Sequence, residues 1–323
     1  MAFGKSTYTS VSGLVGTENA TELRESLLDI IKNISPNEDN YFVTNLGVGS
    51  PALQPLHEWN LFYESRPTSV TAAIEGAATT YSDLTTETRS NNRTMIIDEP
   101  VRLSRTRASI AMVTGQDAMG LEKERALKRL KAKMEFVTIN GSYATGASGV
   151  ARQAAGIDAC ISTNVTARSS GTSFSEIELN DIVQESWDAV GSGYVMDLLV
   201  APVVIKRRVA GFGTNLTRNV NAEAKKLTQE VRVYDSEVGQ TVTILAHKDV
   251  RDDAGTLTVL GVREDLFEHS FLVNTGEPHW EERCKDGDRE NGVYITEFTV
   301  VSYDERASVK SCLLYTSPSP RDS

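Results

Sequence analysis

The chain is poor in cysteine: three in 323 residues, and no two of them sit at the short spacing of a zinc ligand set or a redox pair. A disulfide framework is therefore excluded. No apolar run reaches the roughly 20 residues that a membrane-crossing helix needs. The N-terminus, MAFGKSTYTS, does not have the charged-then-apolar layout of a secretion signal, so the expectation is a protein made in a cytoplasm. Basic residues are outnumbered, 33 Lys and Arg against 44 Asp and Glu, for a net charge of -11. A free-standing nucleic-acid binder needs the opposite balance. What remains is an ordinary globular composition, 40% hydrophobic and 24% charged, long enough for about two domains.

Catalytic and cofactor signatures are also scarce. Gly4-Lys5-Ser6 has the end of a phosphate loop but lies too close to Met1 for the strand that must precede it. Gly47-Val48-Gly49 and Gly211-Phe212-Gly213 each have two glycines without the third, and read as turns. Asp286, Asp288, Glu290 and Glu297 imitate part of a calcium loop, but Asn291 stands where the turn glycine belongs and a β-branched run follows. The four histidines, His57, His247, His269 and His279, have no ligand spacing. Asn-x-Ser/Thr matches such as Asn19-Ala20-Thr21 carry no weight without a secretory route. The expectation is no enzyme, no cofactor and no metal.

The best-marked element is a long helix over Thr114 to Gly141. Thr114 and Asp117 form a shortened capping box, and Asn140-Gly141 supplies a left-handed stop. Leu127, Leu130, Met134 and Val137 form one apolar stripe, and Glu124 to Lys128 is a favourable i,i+4 pair. At 1.5 Å per residue it is about 35 to 40 Å long, enough to act as a spine.

Around this helix, Met1 to Gly16 reads as a mobile arm, Glu22 to Ile34 as a short helix ended by Ser35-Pro36, and the passage from there through Pro55 as loop. His57 to Arg105 reads as two legs of a long hairpin around a stretch rich in Ala, Thr and Gly. That stretch has too few large apolar residues to make its own core, so the hairpin is expected to lie on a neighbouring copy. Trp59, Phe62 and Tyr63 at its base serve equally as interface anchors or as ordinary core. A glycine-rich loop follows the long helix. Then come a helix over Ser173 to Val190 with Ser175 as cap, a buried strand in MDLLVAP, a helix in VVIKRRVAGF, a hairpin turning at Ser236 to Gly239, and strands in TLTVLGVRE and EHSFLV. Gly292 to Ser308 reads as the last strand and its exit. Cys312 to Ser323, CLLYTSPSPRDS, resembles the read-through translation of a transposase library adapter and is set aside from the fold. The class is α+β.

This order of parts resembles the major capsid proteins of tailed phages, with the Hong Kong 97 type fold. Local residues carry the likeness: Ile34-Ser35-Pro36 with Tyr41-Phe42, His57-Glu58-Trp59, Glu75-Gly76 and Asn92, then the helix after Thr106. Ala155-Gly156-Ile157, Leu198 to Pro202, Thr275-Gly276 and Glu297 to Ser302 follow in the same order, so the likeness spans Leu23 to Ser308. The resemblance implies an N-terminal arm and short helix over 1–54, an extended loop over 55–113, a peripheral domain with the spine helix over 114–172, an axial domain over 173–285 and a return strand over 286–311.

It further implies a structural protein that self-assembles as hexamers and pentamers into an icosahedral head around double-stranded DNA. Expected partners are scaffolding, portal and decoration proteins, with DNA met only through weak, local contacts. Residues expected at subunit contacts are Trp59, Phe62, Tyr63, Glu75, Arg93 and Arg102. No Lys and Asn pair presents itself for covalent cross-linking and no cleavage point for a head protease, so a separate scaffold is expected. The alternatives are an encapsulin-like nanocompartment shell and, third, a soluble oligomeric enzyme with a site assembled from scattered residues.

Overall fold

The computed structural model describes residues 40–63, 67, 69–78, 87–109, 118–168, 174–191, 193–212, 220–221, 226–227, 232–250, 252–253, 256–285 and 287–314. The expected arm over Met1 to Gly16, the helix over Glu22 to Ile34 and the cap residues Thr114 and Asp117 lie outside the described residues. The chain opens with α1 (Tyr41–Asn45), β1 (Gly47–Val48), β2 (Leu56–Leu61), β3 (Thr88–Arg93), β4 (Met95–Ser104), α2 (Arg105–Ser109) and α3 (Ala118–Asn140). It continues through α4 (Ile157–Cys160), β5 (Val165–Arg168), α5 (Glu176–Val190), β6 (Leu198–Ala201), α6 (Val203–Phe212), β7 (Val220–Asn221) and β8 (Lys226–Leu227). The remaining elements are β9 (Val233–Asp235), β10 (Thr241–Ala246), β11 (Asp252–Asp253), β12 (Thr256–Val262), β13 (Phe267–Phe271), β14 (His279–Arg283), β15 (Arg289–Ser302) and β16 (Val309–Leu314).

The first sheet is built on β15, a 14-residue strand whose β-branched run extends it well past ordinary length. β4 runs antiparallel along one edge, from Arg289 opposite Ser104 to Phe298 opposite Met95. β13 and β14 lie end to end along the other edge, and β1 joins β13 in parallel. Strict alternation in β4 turns Ile97, Glu99, Val101 and Leu103 inward and leaves the residues between them outward. The inward row meets α3, whose buried face comprises Ala126, Leu130, Met134, Glu135, Val137, Thr138 and Ile139. One core therefore joins α1, α3 and this sheet through Phe42, Leu130, Met134, Phe267, Phe298 and Val300. Leu127, placed on the expected stripe, is only half-buried, while Glu135 and Thr138 widen the buried face with polar atoms.

The second sheet runs in the order β5-β16-β12-β6-β10-β9, with β11 beside β12. β6 is buried at every position. α5 and α6 cover it with Leu179, Ile182, Val183, Ile205 and Val209. Ser175 caps α5 as expected: its hydroxyl accepts from the Glu178 amide and the Glu178 carboxylate accepts from the Ser175 amide. Ile177 and Trp187, two large apolar residues of the same helix, are exposed.

Four sequence expectations change here. The hairpin is β2 with β3, from Leu56 opposite Arg93 to Leu61 opposite Thr88. The expected return leg from Arg93 onward leaves it, because β4 has an inward apolar row and a full-length partner in β15. The passage after Pro36, read as loop, contains α1 and β1, so Gly47-Val48 is strand and not a turn. β15 is not the last strand: the chain turns at Glu305–Ala307 and adds β16, which runs on to Leu314 and takes in Cys312. Finally, β13 and β14 fall in the segment 173–285 but pair with β15, so the long helix's sheet also draws on residues 267–283.

Candidate subunit-contact surfaces

Three charge and hydrogen-bond clusters fix the base of the hairpin and the groove beside it. In the first, Asn92 at the end of β3 sends its Nδ2 to the carbonyls of Ala155, at 3.0 Å, and Val300, at 2.7 Å. Its Oδ1 accepts from the Ala155 amide at 2.9 Å. Residue 92 thereby ties the hairpin to the glycine-rich loop and to β15 at once. That loop is drawn tight against the end of α3, where the Gly156 amide donates to the Gly141 carbonyl at 2.9 Å. A side chain at Gly156 would meet the Val137 carbonyl at 2.5 Å, which explains glycine at this position.

In the second cluster, Arg152 Nη2 lies 2.5 Å from Glu297 Oε1, and Arg152 Nε donates to the Thr94 carbonyl. The Thr94 hydroxyl donates to the same carboxylate at 2.5 Å. The third lies between β4 and α3, where Glu99 meets Arg129 at 2.5 Å and Lys133 at 2.6 Å. Burial pushes the Glu99 carboxyl up, but the bonds from Lys133 and Arg129 more than reverse this and hold it below the usual carboxylate value. Beside this pair runs a groove of about 650 Å³ along Met95 to Glu99 and Arg129 to Val137. Two large apolar side chains are left open to solvent on it, Ile96 at 50% and Phe136 at 54%.

The expected contact residues separate into two groups. Trp59 and Tyr63 are used within the subunit: the Trp59 indole N–H donates to the Ser302 carbonyl at 3.0 Å, and the Arg306 guanidinium stands 3.9 Å over the Tyr63 ring. Arg93 is half-buried beside Asn92. Phe62, Glu75 and Arg102 are exposed, with Arg102 donating to Asn291 Oδ1. Glu75 sits at the hairpin's far end, in a turn where the Ala77 amide reaches the Ile74 carbonyl and Gly76 takes a left-handed backbone. Near it, Val70 is 89% and Ile74 is 80% exposed.

Of the calcium-like residues, Asp286 lies outside the described residues and the other three have separate partners: Asp288 pairs with Arg105, Glu290 with Lys285, and Glu297 with Arg152. Among the described residues no group of three or more His, Cys, Asp or Glu is arranged to hold a metal ion. Burial pushes the Cys160 thiol up to about 12, so it stays protonated in the cavity beside Trp59 and Tyr63. No described helix is long and apolar enough to cross a membrane.

Reasoning from sequence missed Arg152 and also Glu135, whose carboxylate accepts from the Phe42 amide at 2.9 Å and the Val43 amide at 2.8 Å. Each depends on partners that are distant along the chain, and no spacing rule reports such convergence.

Comparison with solved structures gives the same architecture repeatedly. The capsid of Myoviridae phage XM1 aligns with a TM-score of 0.58 at 12% identity, over 93% of this chain and 100% of that one. The Gordonia phage Cozz structure aligns with a TM-score of 0.59 at 16% identity, over 98% and 99%. The SrpI encapsulin of Synechococcus elongatus aligns with a TM-score of 0.56 at 11% identity, over 93% and 96%, and is a relative in fold. No curated protein sequence matches. The fold is thus that of the Hong Kong 97 type capsid proteins. A family model described as SU10 major capsid protein matches residues 5–311, and the chain belongs to that family of structural, non-enzymatic phage head proteins.

Proposed function

We propose that this major capsid protein closes its shell by laying the β2–β3 hairpin across a neighbouring copy. One observation carries the reading: Val70 and Ile74 stand almost fully exposed beyond the paired part of the hairpin. Large aliphatic side chains in water on an extended segment gain roughly 1.5–3 kcal/mol each when covered. The groove between β4 and α3 has matching chemistry, with Ile96 and Phe136 as an apolar floor open to solvent. A contact in which one patch meets a different patch on the next copy propagates as a ring, as capsomers require.

In this reading the segments 55–113, 114–172 and 173–285 act as extended loop, peripheral domain and axial domain. Copies gather as hexamers and pentamers into an icosahedral head in the host cytoplasm. Scaffolding, portal and decoration proteins join that shell, and packaged DNA meets it through few, salt-sensitive contacts, as the net charge of -11 favours.

The test is the double variant V70D/I74D. Far-ultraviolet circular dichroism and melting temperature are expected to match the unmodified chain, while sedimentation shows loss of capsomers and shells. Shells formed as readily as by the unmodified chain would refute the role of the hairpin.

A further inference from the structure

Arg93 closes β3 one position after the Asn92 anchor, and strand alternation sends the two side chains to opposite faces of the hairpin. Asn92 goes inward to Ala155 and Val300. The Arg93 side chain is half-buried, and its Nε is enclosed without a hydrogen-bond partner. Among the described residues no carboxylate or ring meets its guanidinium. The half-buried Arg125, Arg152 and Lys310, by contrast, each hold a carboxylate, from Glu122, Glu297 and Asp158. The acids near Arg93 along the hairpin are already committed. Glu58, on the facing strand β2, pairs with Arg89 at 3.5 Å. Glu297, which reaches this place through Thr94, holds Arg152 and the Thr94 hydroxyl. A guanidinium cannot shed its charge, carries five N–H donors and is costly to withdraw from water without a counter-charge. Its fork fits a carboxylate through two parallel hydrogen bonds. The position therefore calls for an anion from outside the subunit.

Glu75 has the complementary properties. It stands exposed in the turn at the far end of the hairpin, beside the left-handed Gly76, and its carboxylate has no partner among the described residues. Within residues 69–78 it is the one charged side chain. Ile74, next to it, is the exposed aliphatic residue that gains from being covered. Arg93 lies three residues before Ile96 of the β4–α3 groove, a separation of at most about 11 Å along the chain. An aliphatic side chain laid over Ile96 and a carboxylate one residue further on can thus reach the groove and Arg93 together. We propose that Arg93 is the receptor for the next copy's Glu75, an ion pair that fixes the hairpin's position once its aliphatic side chains are covered. The pair rests on the hairpin crossing to a neighbouring copy and gives that crossing a direction. The turn of one hairpin meets the base of another, two different patches, so the contact passes from copy to copy around a ring.

Charge reversal on the full chain tests this, with assembly read by sedimentation velocity. R93E and E75R are each expected to raise the protein concentration needed for capsomers about tenfold or more, because each sets like charges together. A one-to-one mixture of the two is expected to return it to within about threefold of the unmodified value, since in an alternating ring every turn meets the opposite charge on the next copy. Assembly of E75R at the unmodified concentration would overturn the ion pair, as would a mixture no better than its components. E75R alters an exposed turn and is expected to leave the melting temperature unchanged, so it decides alone should R93E not fold. V70D/I74D, run beside them, separates the two claims. Loss of capsomers in V70D/I74D with R93E and E75R unaffected refutes the ion pair and leaves the hairpin's role standing; capsomers in all three refute both.

Discussion

Asn92 and Ala155 exchange a reciprocal pair of hydrogen bonds across 63 residues of chain, side chain to backbone in both directions, in a fully buried setting. Asn92→Ala leaves the Ala155 amide and two carbonyls without partners. Such groups cost about 1–3 kcal/mol each when buried, so a total loss of roughly 3 kcal/mol or more is expected in urea unfolding. Asn92→Asp keeps the shape but removes both donors, and is expected to lose stability in the same direction.

Arg152 and Glu297 form the charged counterpart of that anchor. Glu297 is nearly enclosed, so removing one partner strands the other. Glu297→Gln is expected to cost about 2–4 kcal/mol, and Arg152→Met less than Arg152→Glu. The thermal midpoints of the three variants check the order.

His269 gives stability a pH dependence of known sign. Burial lowers its value from 6.5 to about 4, with Glu135 pulling weakly the other way. The unfolded chain therefore takes up this proton first as the pH falls. Stability is fully present above about pH 6.5, declines between there and about pH 4, and is flat in this contribution below. The whole span is roughly 3 kcal/mol. His269→Gln is expected to remove one proton's worth of slope from that window in chemical denaturation.

Leu130 sits fully buried where α3 meets the first sheet. Leu130→Ala opens a cavity in the shared core and is expected to cost about 2–5 kcal/mol in urea unfolding. Leu127→Ala, at a half-buried position, is expected to cost clearly less.

Much of this molecule was legible in local pattern. α3, α5 with its Ser175 cap, α6, β6 and the β9–β10 hairpin announce themselves because caps, turns and periodicity are properties of a few neighbouring residues. What stayed hidden depends on pairing at a distance. β4 has the alternation of a hairpin leg, and nothing within residues 95–104 says that its partner is β15. β1 is two residues long, too short for any period. Glu135 looks like one more charge on a charged helix until Phe42, Val43 and His247 are brought to it. For the expected contact residues the local signal was ambiguous: Trp59 and Tyr63 have aromatic bodies that serve a core or an interface, and the fold uses them internally.

The most direct test of the account is to express the full chain alone and with a scaffolding partner, and to examine the product by negative-stain microscopy with sedimentation velocity. Closed particles or capsomer rings are predicted for the unmodified chain, and dispersed subunits for V70D/I74D. A compact monomer that stays monomeric at high concentration and with scaffold present would contradict it.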